Sequence, residues 1–193
     1  IPVVRTLESD ILRVLDIGAS AIQVPQVNSA EQAKRIVAAA KYPPIGMRGA
    51  AFSTRAAGYG FFAGERHIAD SNSGTAVIVM TETRTAIEQL DEILAVPGID
   101  GVFFGPNDLS FSFGHPGQMG HPEVVAAIEH GIERAIAHGV APGVLALTPQ
   151  DFHCWRRKGA RYLPMVLSGL LGNALRATVA GTRSDAVIGA EAS

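Results

Sequence analysis

Short runs rich in Val, Ile, Leu or Phe recur along this chain, and each is followed by a stretch whose apolar residues fall at helical spacing. Strands separated by helices must run parallel, with helices over the sheet, so the pattern predicts βα units. Six units are legible, with candidate strands at Pro2 to Arg5, Ala21 to Val27, Ala76 to Glu82, Gly101 to Gly105, Pro142 to Leu147 and Arg161 to Leu167. Ser9 and Asp10 offer a cap to the helix Ile11 to Ile17, which Gly18 stops, and Ser29 caps Ala30 to Ala40. Thr85 to Leu94 carries Ala86, Ile87, Leu90, Ile93 and Leu94 on one face. His121-Pro122-Glu123 opens a helix through His138, stopped by Gly139, and Thr148-Pro149 opens another to about Lys158.

Six parallel units fit either an open doubly wound sheet or most of an eight-stranded barrel. No Gly-x-Gly-x-x-Gly follows a strand, which removes the dinucleotide fingerprint and favours the barrel. The 193 residues fall short of the roughly 250 of a closed barrel, so two βα units are expected to be missing upstream. The chain opens on strand-like Ile1-Pro2-Val3-Val4-Arg5, without Met or leader, as a chain lacking its true N-terminus would.

Hydrophobic content of 47% supplies one full core, and the single Cys154 can form no internal disulfide. A single domain over residues 1–193 in a reducing, cytoplasmic setting is expected. Sixteen basic residues are scattered among eighteen acidic ones, with a net charge of −2, so no basic stripe marks a nucleic-acid surface. No apolar run reaches the roughly 18 residues that span a membrane.

Chemistry is expected where strands end. Glu82 closes one predicted strand and Asp108 follows the next, and C-terminal strand ends of a parallel α/β protein share one mouth. Two carboxylates converging there can hold a hard dication. Gly105-Pro106-Asn107-Asp108 turns directly out of a buried strand and exposes backbone N–H groups, a dock for an anionic substrate group. Lys41 to Thr75 is the largest irregular segment and is expected to cover the mouth.

Pro2-Val3-Val4-Arg5, Tyr42-Pro43-Pro44 with Arg48-Gly49, Glu82-Thr83-Arg84 and the run Val96-Pro97-Gly98-Ile99-Asp100-Gly101-Val102-Phe103-Phe104-Gly105-Pro106-Asn107-Asp108-Leu109-Ser110 occur in this order. From Ile1 to about Ala180 the chain resembles the HpcH/HpaI aldolase and citrate lyase family. The resemblance implies a (β/α)8 TIM barrel of the phosphoenolpyruvate/pyruvate-binding type, whose third strand corresponds to the first one here. It also implies a homo-oligomer, trimer or hexamer, with an exchanged C-terminal helix, so the tail from about residue 168 is expected to pack on a partner subunit.

By the same resemblance, Glu82 and Asp108 match the ligands of a divalent metal, Mg²⁺ or Mn²⁺, with Co²⁺ also admitted. Arg5 matches the arginine that contacts the keto oxygen and is the catalytic candidate. Arg5, Gly105, Pro106, Asn107 and Asp108 form the substrate-binding set. The implied reaction is aldol cleavage of a 4-hydroxy-2-keto acid, such as 4-hydroxy-2-oxoheptanedioate or a 2-keto-3-deoxy sugar acid, to pyruvate and an aldehyde through a metal-stabilised enolate. An oxaloacetate decarboxylase of the macrophomate synthase branch is the second reading, and a non-catalytic binding subunit the third.

The chain departs from the family pattern at three points. The family's general base is a histidine in an acidic-His motif that nothing here matches. Met80 stands where a glutamine precedes the first metal ligand, and Val166-Leu167-Ser168 replaces the Gly-x-Asp that ends the eighth strand. Plainer readings compete as well: Arg5 as a chain-end charge, Asp108 as a helix N-cap, His130 and His138 as surface residues, and Cys154 and Trp155 as packing. His115 and His121 flank a glycine-rich turn near Asp108 and could line the mouth.

Overall fold

The computed structural model describes residues 3–190, with side chains described through residue 182; Pro2, the expected start of the first strand, lies outside them. Strands β1 (Val3–Arg5), β2 (Ala21–Val24), β3 (Ala76–Thr81), β4 (Gly101–Phe104) and β5 (Ala141–Val144) form one parallel sheet in the order β1-β2-β3-β4-β5. A doubly wound sheet reverses its strand order, whereas this sheet grows in one direction as a barrel wall does.

Side chains alternate across that wall. Ile22, Val24, Val77, Val79, Val102 and Phe104 join the main core beneath the helices, while Ile78, Met80 and Phe103 form a second cluster on the opposite, inner face. The helices are α1 (Ile11–Asp16), α2 (Ala30–Ala40), α3 (Gly64–Gly74), α4 (Arg84–Glu88), α5 (Leu90–Leu94), α6 (Pro106–Ser112), α7 (Pro122–Ala137), α8 (Pro149–Arg157) and α9 (Leu167–Ala190). Ser29 Oγ caps α2 by accepting from Gln32 N–H, and Thr148 and Asp151 form a reciprocal capping box on α8. Phe104 from β4 is fully buried against α7, where Gly131 leaves room: a Cβ there would lie 2.4 Å from the ring. Burying a side chain of that size contributes about 1.5–3 kcal/mol.

Four expectations change. The sixth strand is reduced to a bridge between Gly143 and Tyr162. Tyr162 and Pro164 carbonyls still accept from Val144 and Ala146 N–H, but Pro164 has no N–H to return and the ladder stops. Its expected last residue, Leu167, opens α9. The helix over Thr85 to Leu94 is split at Gln89, whose backbone leaves the helical region at φ −98°, ψ 14°. Asp10 precedes α1 without a side-chain cap, after a short 3₁₀ turn over Glu8–Asp10.

The fourth change concerns Lys41 to Thr75. That segment is not featureless, since it contains α3 and a 3₁₀ turn over Arg55–Gly60. Nor does it cover the mouth: α2 carries the chain back to the pole where strands begin, and Lys41 Nζ is fixed there by the Asn72 and Thr75 carbonyls just before β3. Arg48 of the same segment pairs with Asp16 at 3.0 Å and lies over the Tyr42 ring, bracing that pole.

Candidate active site

Glu82 follows the last residue of β3, and Asp108 stands in the first turn of α6, immediately beyond β4. Since β3 and β4 pair in parallel through Thr81 and Phe104, both acids emerge at the same pole on adjacent strands. Gly105 lies between them. A Cβ on Gly105 would stand 2.9 Å from Glu82 Oε2 and 3.7 Å from Asp108 Oδ2, so the two carboxylates border one small space that any side chain at 105 would fill.

Glu82 is 2% exposed. Its Oε1 accepts the Gln26 N–H at 3.0 Å, while Oε2 is buried and meets no donor among the described residues. Burial first, and the Asp108 charge second, push the Glu82 carboxyl above the usual carboxylate range, against the lowering effects of the Gln26 N–H and the Arg5 charge. A buried carboxylate oxygen without a donor, beside a second carboxylate, is short of positive charge. A hard dication would supply it, and an all-oxygen pair suits that class of ion.

Arg5 ends β1 and is exposed, and its charge acts on Glu82 across the inner face of the sheet. Its register partner on β2 is Gln23. Asn107 and Asp108 are exposed, whereas Gly105 and Pro106 are buried. Gly105, not Asp108, is the N-cap of α6, and Pro106 occupies its first position. The first helical bond runs from Leu109 N–H to Gly105 O, so the Asn107 and Asp108 N–H groups belong to the unclosed first turn. Ser110 Oγ fastens this turn by donating to the Asn107 carbonyl and accepting from Gly117 N–H.

The two strand-end loops are tied together. Arg84 N–H donates to Ser112 Oγ, its guanidinium lies over Phe113, and its Nη2 pairs with Glu123 Oε1 at 2.9 Å. Thr83 caps α4 through Ala86 N–H and donates to Asn28 beyond β2. These links hold β3's loop against those of β2 and β4, which fixes the spacing of Glu82 and Asp108.

His115 and His121 stack with ring centroids 3.4 Å apart, and His115 Nε2 contacts Glu123 Oε2 at 3.0 Å. His121 Nδ1 caps α7 by accepting Glu123 N–H. The histidines are therefore engaged with Glu123 at the head of α7. His138 contacts Asp91, which also holds Arg134, while His130 is exposed. Trp155 packs on the core, and Cys154 is partly buried.

Two contributors were not read from the sequence. Gln26 holds a left-handed backbone at φ 55°, and this aims its N–H at Glu82; nothing in a Pro25-Gln26 pair announces such a turn. Gln23 was hidden inside an apolar strand, although strict alternation would have placed its amide on the inner face.

Comparison with known proteins points the same way. The family model for HpcH/HpaI aldolase/citrate lyase matches residues 4–170. The chain is 49% identical over 152 residues to a 2-keto-3-deoxy-L-rhamnonate aldolase of Klebsiella pneumoniae subsp. pneumoniae, covering 77% of this chain and 56% of that protein. It is 48% identical over 174 residues to the protein of the same name from Escherichia coli K12, covering 88% of this chain and 64% of the relative. It thus spans less than two thirds of the length of these relatives. An HpcH/HpaI aldolase/citrate lyase family protein from Burkholderia cenocepacia J2315 superposes with a TM-score of 0.89 at 30% identity, over 94% of this chain and 73% of the other.

Proposed function

The chain belongs to the HpcH/HpaI aldolase/citrate lyase family, and from that premise we propose that it forms the catalytic part of a divalent-metal-dependent aldolase that releases pyruvate from a 2-keto-3-deoxy sugar acid. The observation that carries this reading is the convergence of Glu82 and Asp108 over Gly105, with Glu82 Oε2 buried and lacking a donor among the described residues. These two residues would hold Mg²⁺ or Mn²⁺. When bound, the ion supplies Lewis-acid charge near the substrate's 2-oxo group, which makes the C3–C4 bond labile.

The chain's own groups do the rest. Arg5 donates to the 2-oxo oxygen as negative charge gathers there, and the open N–H groups of Asn107 and Asp108 hold the carboxylate. Gly105 and Pro106 keep the space between the acids clear and set the first turn of α6 in place. As C3–C4 breaks, its electron pair forms a C2=C3 bond and the charge passes to the 2-oxo oxygen beside Arg5; the C4 hydroxyl gives its proton to a base as the C4 fragment departs as an aldehyde, and C3 then takes up a proton to give pyruvate. We also assign α9 to a second copy of this chain, because Leu167, Leu171, Leu175 and Val179 recur at four-residue spacing and all stand exposed on it.

The test is pyruvate release from 2-keto-3-deoxy-L-rhamnonate, 4-hydroxy-2-oxoheptanedioate and oxaloacetate, with Mg²⁺, Mn²⁺ or Co²⁺ and with chelator. Metal-dependent release from the sugar acid, abolished in Glu82→Gln and Asp108→Asn, is the expected result. Release from oxaloacetate alone would reassign the enzyme as a decarboxylase, and activity unaffected by chelator would overturn the metal reading.

A further inference from the structure

The inner face of the sheet near the mouth is apolar. Ile78, Met80 and Phe103 cluster there, with Val3, Leu145 and Tyr162 against them. One carboxamide interrupts this surface. Gln23 is 8% exposed, and its Nε2 donates to Met80 Sδ at 3.1 Å. A thioether is a weak acceptor, and a buried amide ordinarily finds stronger partners for its two N–H donors and its oxygen. Holding an amide in apolar surroundings on such a partner costs stability, whereas a Leu or Met of similar size would pack there without that cost.

The geometry points to Gln23 as a substrate-recognition residue: its carboxamide donates to an oxygen of the 2-oxo acid. This inference rests on the reading of the mouth as a 2-oxo acid site. Gln23 pairs directly with Arg5 across β1 and β2, so amide and guanidinium occupy the same rung and face the same side of the sheet. Its contact with Met80 brings the amide beside the residue two positions before Glu82. An N–H resting on sulfur is also readily exchanged, because an anionic oxygen is the stronger acceptor. The polar group that position 80 lacks is thus supplied from the neighbouring strand.

The experiment compares wild type, Gln23→Leu, Gln23→Asn and the exchange variant Gln23→Leu/Met80→Gln. Three readouts are needed: Mn²⁺ affinity without substrate, pyruvate affinity with Mn²⁺ present, and KM for the keto-deoxy sugar acid. Gln23→Leu is expected to bind Mn²⁺ within twofold of wild type while losing about tenfold or more in pyruvate affinity and KM, as for a hydrogen bond to a charged group. Gln23→Asn, whose amide is withdrawn by one methylene, should lose affinity similarly, and the exchange variant should recover most of it. Unchanged pyruvate affinity in a folded Gln23 variant would overturn this assignment alone. Parallel loss of Mn²⁺ affinity would also overturn it, by making Gln23 structural. Absence of pyruvate binding in wild type would overturn the parent reading, and this one with it.

Discussion

Replacing Glu82 by Gln should make the metal-free protein more stable and the metal-loaded protein less so. In the wild type a carboxylate is buried at 2% exposure with one oxygen facing Asp108 and no donor on it among the described residues. Gln is nearly isosteric: its Oε1 can still accept Gln26 N–H, and its Nε2 can donate toward Asp108 where two like charges faced each other. Relieving an unsatisfied buried group is worth about 1–3 kcal/mol. For a chain of this size each kcal/mol corresponds to about 2–4 °C in Tm. Mn²⁺ at a hundred times its Kd would add about 2.7 kcal/mol to the wild type and little to the variant. Thermal melts in chelator and across a Mn²⁺ titration should therefore cross. The pH dependence of this one group has a definite sign: a raised carboxyl pKa favours the protonated native form, so the contribution of Glu82 to the stability of the metal-free wild type is fully present below the ordinary Glu pKa of 4.5 and is lost as pH rises through the raised native value. Glu82→Gln should flatten that slope. If the variant melts below wild type in chelator, or gains as much from Mn²⁺, the account of Glu82 as an uncompensated buried charge is refuted.

Gly105→Ala places a methyl 2.9 Å from Glu82 Oε2, so metal affinity measured by titration should fall by tenfold or more while the fold survives. Gly131→Ala drives a Cβ to 2.4 Å from Phe104, and denaturant unfolding should show a loss of about 1–3 kcal/mol with the metal site intact. Thr148→Ala removes half of the capping box on α8 and should cost about 1 kcal/mol in the same assay. Leu171→Glu with Leu175→Glu charges the exposed stripe of α9; sedimentation should show a smaller particle than wild type, and an unchanged mass would refute the assignment of that face to a second copy.

Strands β1 to β4 and helices α2, α7 and α8 were legible because each carries a local signal, either an apolar run between turn residues or a capped periodic face. Glu82 and Asp108 could be paired from sequence, since parallel strands deliver their ends to one pole whatever the helices do. What escaped depended on non-local or competing terms. Pro164 ends a ladder that Val, Leu and Met would otherwise continue, and no Pro or Gly marks the break at Gln89. Helix α3, with Ser, Asn, Asp and Gly in its sequence, has weak intrinsic propensity and is held by tertiary contacts such as that of Asn72 with Tyr42. The place of Lys41 to Thr75 required counting direction: a segment after a helix and before a strand lies at the opposite end from the acids.

Because the sheet adds its strands in chain order, every unit touches mainly the units made just before and after it. Substitutions in the turn after one strand can therefore retune the ligand without disturbing the buttress at the far end, where Arg48 grips Asp16. Division of labour between the two ends is what lets such a scaffold change its choice of substrate while keeping its shape.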